Sequence, residues 1–508
     1  MNETHRGQCL TLIGTAHIQD YVFRSNRLKE NAGASELVRA ALDAWNESRH
    51  RIVFVGGGNA ALLFQSEAEA REAVWHWSLD WMRRAPGLCF TVAHQTIGDS
   101  VRQAWREAQR KLRDHEERPP FGYELGALPV VRTCQSTGRA ATGQEDQRQA
   151  AAWLSPEALK KREAAAAAAD RLHNQYAAEL RGWYQFPNEF SDLGQKEGAS
   201  HIAIVHADGN SVGRLFRELG EDPPLDGSPF LEALHALSEA VTNLARAAFG
   251  KTAADLSDIH HELRDREDWI RLPLAKEGPP YLPLRPLVDS GDDLTFVAHG
   301  KLGIALAARY LEHFRRESIV CLKAFAKYPG QYWTASAGVL IAPEKFPFAR
   351  GYRMAEELTR AAKAARTEDL ESENPDAGWL DFHVQLEGAA GSLHMVRETQ
   401  YGTVEGGLLR RPYRLSREPD DPHGWHRFQE LSVVFRDPGR VPRSRAKALL
   451  QALARGGPAP RQVMAACEAA GIVLPETMQS ETEYWDALEL LDFHRDPWLE
   501  RSVNHAAA

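Results

Sequence analysis

The sequence predicts an α+β protein in which a β-α-β-β-α-β unit occurs twice, joined by a helical insert and followed by a helical C-terminal domain. Three observations carry that expectation. Short apolar runs rich in β-branched and aromatic residues alternate with stretches of helical period. The same alternation returns on a longer scale from about residue 200, and beyond about residue 390 it gives way to helical stretches and Pro/Arg/Asp-rich turns. The 508 residues suffice for about three domains of roughly 150 residues, which excludes a single small module. With 43% apolar and 26% charged residues the composition is that of a folded chain. A formal charge of −9 excludes sequence-independent nucleic-acid binding over the whole surface, so any polyanion must meet a local basic patch.

Taken in order, residues 9–15, 51–56, 60–65 and 88–94 read as strands. Leu37, Val38, Ala41, Leu42 and Trp45 share one helical face after Ser35, an N-cap type, and predict a helix over 36–47. VFVGGG followed by NAALLF predicts a hairpin. Ser155-Pro156-Glu157 and a run of six alanines predict a helix over 155–185. In the second copy, HIAIVHA (201–207) is a strand. The helix after Ser228-Pro229 carries Phe230, Leu234, Leu237, Val241 and Leu244 inward until Gly250 stops it. Strands 284–289 and 294–298 flank the turn Ser290-Gly291-Asp292-Asp293; a helix with Ile304, Ala307, Leu311 and Phe314 inward follows, then strand 333–341, helix 350–366 and strand 379–384. C-terminal helices fall at 444–455, 460–470 and 481–493. This order is that of ferredoxin-like, palm-type domains. The predicted divisions are 1–115, a first palm; 116–198, a helical connector; 199–390, a second palm; and 391–508, a mainly helical domain.

Chemistry concentrates in the second unit. Asp208 closes a strand and Asp292 and Asp293 sit in a tight hairpin, at the two places that such a unit makes adjacent. Alone, each pattern is ordinary turn chemistry. Together they predict a carboxylate cluster that repels itself unless cations intervene, and hard oxygen donors suit magnesium or manganese. Two ions about 4 Å apart would align a nucleoside triphosphate and neutralise leaving pyrophosphate. Gly209, Gly213 and Gly291 leave room for phosphate near the main chain. A helix over 211–219, opening at Ser211, would turn its N-terminal amides toward phosphate oxygens.

HADGNSVGRLF, LVDSGDDLTFVAHG and TASAGVLIAPEKFPFARGYRMAEELTRAAKAA resemble the second palm of the large subunit of type III CRISPR effector complexes, which makes cyclic oligoadenylates from ATP. LTLIGTAHIQDYVFRSNRLKENAGASELVRAAL resembles that family's first palm. The likeness spans residues 8–115 and 200–385. It implies two nucleotidyl-cyclase-like palms, metal held by Asp208, Asp292 and Asp293, and ATP contacted from Gly209, Asn210, Ser211, Ser290, Gly291, Ser336 and Lys363. It also implies activator RNA or CRISPR-type partner subunits. Ser290 stands where the family has a glycine, and Asn210 where a second carboxylate often follows. In the first palm, His17 takes the place of Asp208 and Asn59-Ala60 that of Asp292-Asp293, which implies a catalytically silent half. No His-Asp pair precedes the first palm and only Cys134 lies between the palms, so neither the family's nuclease activity nor its zinc site is expected.

Two other readings stay open at this stage: a non-catalytic scaffold subunit of an RNA-guided complex, and a GTP-using cyclase of the diguanylate type. Five dispersed cysteines predict no disulfide framework. The segment MNETHRGQCLTLIG has no basic flank before a long apolar core, and no run of eighteen apolar residues occurs, so a cytoplasmic protein with no membrane partner is expected. His260-His261-Glu262 reads as a surface helix. Arg102, Arg106, Arg110, Lys111 and Arg113, and likewise Arg440, Arg443, Arg445 and Lys447, form basic stripes of the kind that line solvated helix faces or meet RNA.

Overall fold

The computed structural model describes residues 5–47, 52–117, 130–145, 152–194, 200–221, 224–372, 375–386, 392–403, 406–416, 421 and 423–507. Parts of the expected connector (118–129, 146–151 and 195–199) and of the Pro/Arg/Asp-rich turn (417–420 and 422) lie outside the described residues. The chain is an α+β fold.

The first unit runs β1 (Cys9–Ala16), α1 (Ile18–Phe23), α2 (Leu28–Asp43), β2 (Ile52–Gly56), β3 (Asn59–Phe64), α3 (Glu67–Arg84), β4 (Cys89–Thr96) and α4 (Val101–Glu116). Its four strands lie in the order β2-β3-β1-β4, all antiparallel. Ser66 and Ser100 cap α3 and α4 by accepting from the amides of Glu69 and Gln103. A small ribbon, β5 (Gly143–Glu145) with β6 (Ala152–Leu154), leads into α5 (Pro156–Gln175), which Ser155 caps and Pro156 opens. Helix α5 lies against α2 at Gly33, where a Cβ would stand 1.7 Å from the Lys161 carbonyl oxygen. Buried Arg162 and Glu30 pair across that contact.

The second unit runs β7 (His201–Gly209), α6 (Val212–Glu218), α7 (Gly227–Leu263), β8 (Leu284–Ser290), β9 (Asp293–His299), α8 (Gly303–Cys321), β10 (Ala335–Pro343), α9 (Phe348–Glu371) and β11 (Trp379–Val384). Then come α10 (Leu393–Tyr401), β12 (Gly402–Thr403), β13 (Gly406–Gly407), β14 (Tyr413–Arg414), α11 (Trp425–Arg436), α12 (Arg443–Arg455), α13 (Ala459–Ala469), α14 (Trp485–Glu489) and α15 (Pro497–Ala507). The large sheet has the order β14-β11-β10-β7-β9-β8. In both sheets the opening strand lies between the second hairpin strand and the strand that follows the next long helix. Alternation along β7 sends Ala203, Val205 and Ala207 into a core with α7 and α8. Ile202 and Ile204 enter a second core with Tyr352 and Leu358 of α9 and with Phe23 and Leu28 of the first unit, so the two units share one apolar cluster. Leu431, Phe435, Leu449, Leu453 and Leu488 close a separate C-terminal core. No described helix is long and apolar enough to cross a membrane.

Several expectations need correction. Helix α2 starts at Leu28, not after Ser35, and residues 44–47 form a 3-10 turn. Its first two turns bury Glu30 and Asn31 along with Leu28, Ala32 and Ala34, and the buried polar pair interrupts the hydrophobic period there. Helix α7 is capped by Asp226 and passes straight through Gly250, because Phe249, Ala253, Leu256 and Ile259 keep its apolar stripe buried to Leu263. Packing there outweighs the ~1 kcal/mol penalty of an interior glycine. The expected 481–493 helix is a 3-10 turn followed by the short α14. His260 is buried rather than on the surface, accepting at Nδ1 from Trp269 Nε1 at 2.8 Å, while His261 stacks on Trp183.

Gly338 of β10 is where α9 meets the sheet. A Cβ there would lie 2.2 Å from the Ala355 carbonyl oxygen and 2.5 Å from the Thr359 nitrogen, both backbone atoms with no freedom to turn away. We expect Gly338→Ala to destabilise the protein by about 2–3 kcal/mol in denaturant unfolding, as overpacking does; an unchanged midpoint would contradict this account of how α9 is seated.

Candidate active site

Strand β7 ends at Gly209 and β9 begins at Asp293. Their register pairs Ala207 with Leu294, which sets Asp208 beside Asp293 at one sheet edge. Ser290 pairs with Asp293, leaving Gly291-Asp292 as a two-residue turn with Gly291 at φ +69°. The turn folds Asp292 back over Gly209: a Cβ on Gly209 would lie 3.0 Å from Asp292 Cβ and 3.2 Å from its Oδ2. Glycine at 209 is what allows the third carboxylate to approach.

Helix α9 supplies the counter-charge. Thr359 donates to the His206 carbonyl at 3.0 Å and fixes the helix along β7. One turn further on, and two residues further along the strand, Lys363 Nζ ion-pairs with Asp208 and lies 3.4 Å from the Gly209 carbonyl. No such cation contacts Asp292 or Asp293 among the described residues. Burial, followed by the charge on Asp208, pushes the Asp292 carboxyl up to about 6. The same causes, with Asp292 added, hold Asp293 well above the usual carboxylate range.

The remaining expected contacts distribute unevenly. Asn210 and Ser336 are buried: the Ser336 hydroxyl donates to Asn210 Oδ1 at 3.0 Å, and Asn210 Nδ2 donates to Thr334 Oγ1 at 2.9 Å. They brace β7 against β10 behind the carboxylates rather than presenting free polar atoms. Ser211 is exposed, holds φ +62° and precedes α6, which is only seven residues long. The side chain of Ser290 lies outside the described residues. Gly291 meets the other unit, since a Cβ on it would stand 3.2 Å from the Cα of Gly57, itself at positive φ. The two hairpin tips therefore touch. In the first unit, His17 lines a cavity of about 550 Å³ that it shares with Tyr352, Arg353 and Glu356 of α9. Asn59 Nδ2 donates to the Gly57 carbonyl within its turn.

Sequence reasoning missed two residues here. Arg366, one turn beyond Lys363, holds Asp376 through two hydrogen bonds of 2.7 and 2.6 Å; its three-residue spacing from Lys363 was the available signal. Tyr310 of α8 is fully buried, its hydroxyl has no partner among the described residues, and after burial the charges of Asp292, Asp293 and Asp208 raise its pKa. It lies three residues from Ala307, on the face the helical period marks as inward. Among the basic stripes, Arg102 and Arg106 pair with Glu221, and Arg443 and Lys447 with Asp492.

A divalent cation fits the chemistry of this edge: three hard oxygen donors share one ammonium, and burial beside like charge raises the pKa of two of them. Among the described residues no three His, Cys, Asp or Glu side chains already form a ligand set. Asp208, Asp292 and Asp293 are the donors that would hold an ion.

No family model matches the chain, and no curated protein matches it. Solved structures do. A Csm1-Csm4 cassette in complex with cA4 is 14% identical with a TM-score of 0.44, covering 95% of this chain and 69% of that one. The cassette in complex with AMPPNP is 14% identical with a TM-score of 0.45, over 97% and 70%. The Csm1-Csm4 subcomplex of the type III-A CRISPR-Csm interference complex is 14% identical with a TM-score of 0.43, over 96% and 70%. A likeness of this degree assigns no chemistry, which rests on the residues themselves.

The carboxylate trio makes stability depend on pH. Because the folded protein holds the Asp292 proton more tightly than an unfolded chain, whose aspartates titrate near 3.8, that proton's contribution is complete below about pH 4 and is lost as pH rises through about 6. Without divalent ions, Asp292→Asn is expected to match the parent near pH 4 and to exceed its unfolding free energy above pH 6.5, by on the order of 1–2 kcal/mol. Parallel curves for parent and variant across that range would show that the carboxylates do not repel one another.

Proposed function

We propose that the chain is a metal-dependent nucleotidyltransferase that joins nucleoside triphosphates, ATP foremost, into cyclic oligoadenylate or cyclic dinucleotide messengers in antiviral defence, working with CRISPR type III-like partners. The observation that carries this reading is the meeting of Asp208, Asp292 and Asp293 at one sheet edge with a single lysine to balance them. The sequence blocks that resemble the type III large subunit fall on these elements and support it. It accords with the ligands of the structural neighbours, cA4 and AMPPNP, without resting on them.

On this reading, Asp208, Asp292 and Asp293 would hold magnesium or manganese, which would offset triphosphate charge and acidify the attacking hydroxyl. The chain's own groups do the rest. Asp292 and Asp293 release their raised-pKa protons as the cluster becomes ionised, and Gly209 and Gly291 leave the main chain open to phosphate. Lys363 pairs with Asp208 and would turn to phosphate oxygens once a cation takes that carboxylate, as a mobile point charge does well. The cavity between His17 and α9 is where the acceptor nucleotide would rest, in the half that lacks a counterpart of the carboxylate trio. Such a division of labour needs no second copy of the chain.

Purified protein incubated with magnesium or manganese and with ATP or GTP, alone and with RNA, is expected to yield cyclic oligonucleotides by mass spectrometry, with ATP favoured. Asp208→Asn and Asp292→Asn should lower the rate by on the order of 10³-fold, and Lys363→Met by about 10²-fold, with the fold retained. A parent protein that makes product and an Asp292→Asn variant that makes it equally fast would overturn the assignment.

A further inference from the structure

Helix α3 carries apolar side chains on two opposite faces, and only one of them is covered. Ala70, Val74, Trp77 and Trp81 enter the first unit's core with Trp45, Phe64 and Phe90, and Trp77 Nε1 donates to the Ala41 carbonyl at 3.0 Å. On the other side Ala68, Glu72, Trp75, Leu79 and Met82 recur at alternating spacings of four and three residues, the seam of a helix that packs along another helix. Trp75 is 62% exposed, Met82 65% and Leu79 36%. A tryptophan and a methionine held in water on a firmly seated helix are side chains that interfaces collect and solvated faces do not.

The charges along α3 indicate what covers the seam. Arg71 pairs with Glu67 and Arg84 with Asp80, each within its own helix. Glu72 and Arg83 are exposed and have no ion-pair partner among the described residues. They lie three turns apart on one flank of the seam, roughly 16 Å along the axis, so they cannot reach each other. An antiparallel second copy of the helix answers both at once. A two-fold axis near Trp77 and Ser78 brings like flanks together, setting Glu72 of each copy against Arg83 of the other and Trp75 against Leu79. It also sets the acidic first turn, with Glu67 and Glu69, beside the basic last turn, with Arg83 and Arg84, and opposes the two helix dipoles. A parallel copy would instead hold like charges at the same height.

We propose that the outer face of α3 is a self-association surface, on which a second copy of this chain docks antiparallel to form a two-fold dimer. Trp75, Leu79 and Met82 together offer less area than the roughly 800 Å² per partner that a standard stable interface buries, so the dimer is reversible and depends on concentration. None of the seam residues belongs to the carboxylate edge or to the cavity at His17, and the dimer does not rest on the proposed nucleotidyl transfer.

The test is sedimentation velocity of the full-length protein over about a hundredfold range of concentration. The parent is expected to pass from monomer to dimer. Trp75→Ala should weaken association about tenfold or more. Glu72→Arg and Arg83→Glu, which set like charges against each other twice in a dimer, should each weaken it several-fold. All three positions are exposed, so the fold is retained. The decisive sample is an equimolar mixture of Glu72→Arg and Arg83→Glu: one copy then offers two arginines and the other two glutamates, and the mixture should associate about as strongly as the parent while neither variant does so alone. A parent that stays monomeric throughout, even one that binds a different protein at this face, would overturn the proposal. So would a dimer indifferent to Trp75→Ala, or a mixture no stronger than its components. Neither result bears on whether the carboxylate edge transfers nucleotides.

Discussion

Like charges held close by a backbone that cannot let them separate are the constraint on which this molecule turns. Two strands end side by side with Asp208 and Asp293 at adjacent positions, and a two-residue turn returns Asp292 over Gly209. In water three carboxylates would drift apart. Here the sheet register and the turn fix them, and the raised pKa values of Asp292 and Asp293 reflect their burial beside charge that Lys363 alone balances. On the proposed reading, a divalent cation and its anionic cargo would take the place of that lysine contact.

The rest of the second unit serves that arrangement. The seat at Gly338 and the Thr359 contact to β7 determine where α9 lies, and therefore where Lys363 can reach. Asn210, Ser336 and Thr334 lock β7 to β10 beneath the site, so the edge does not fray. The first unit contributes through two contacts: a shared apolar cluster around Phe23, Leu28, Tyr352 and Leu358, and the touch of Gly57 on Gly291. A side chain at Gly291 would press on the Gly57 backbone and reposition the turn that carries Asp292 without altering any of the three carboxylates.

Much of this was legible in the chain. Strand and hairpin positions followed from β-branched runs and from turns such as Gly57-Gly58 and Gly291-Asp292, because burial on a sheet leaves a period that sequence records directly. The carboxylates were legible because two separated motifs fell at places that one topology makes neighbours. Features governed by tertiary contact were not. Helix α2 begins early on buried Glu30 and Asn31, α7 ignores Gly250, and His260 is buried against Trp269, each decided by a partner far away in sequence or absent from the local pattern. Asn210 and Ser336 illustrate the same limit at the site: their residue types suit a ligand, yet their side chains bond to each other and to Thr334.

The central claim is best tested by titrating the protein with manganese in the presence of ATP and following free ion by electron paramagnetic resonance. Bound manganese should accompany the parent at neutral pH, weaken as the solution is taken below about pH 6 where Asp292 regains its proton, and be lost in Asp208→Asn and Asp292→Asn. Manganese binding that is indifferent to both substitutions and to that change in pH would contradict the account.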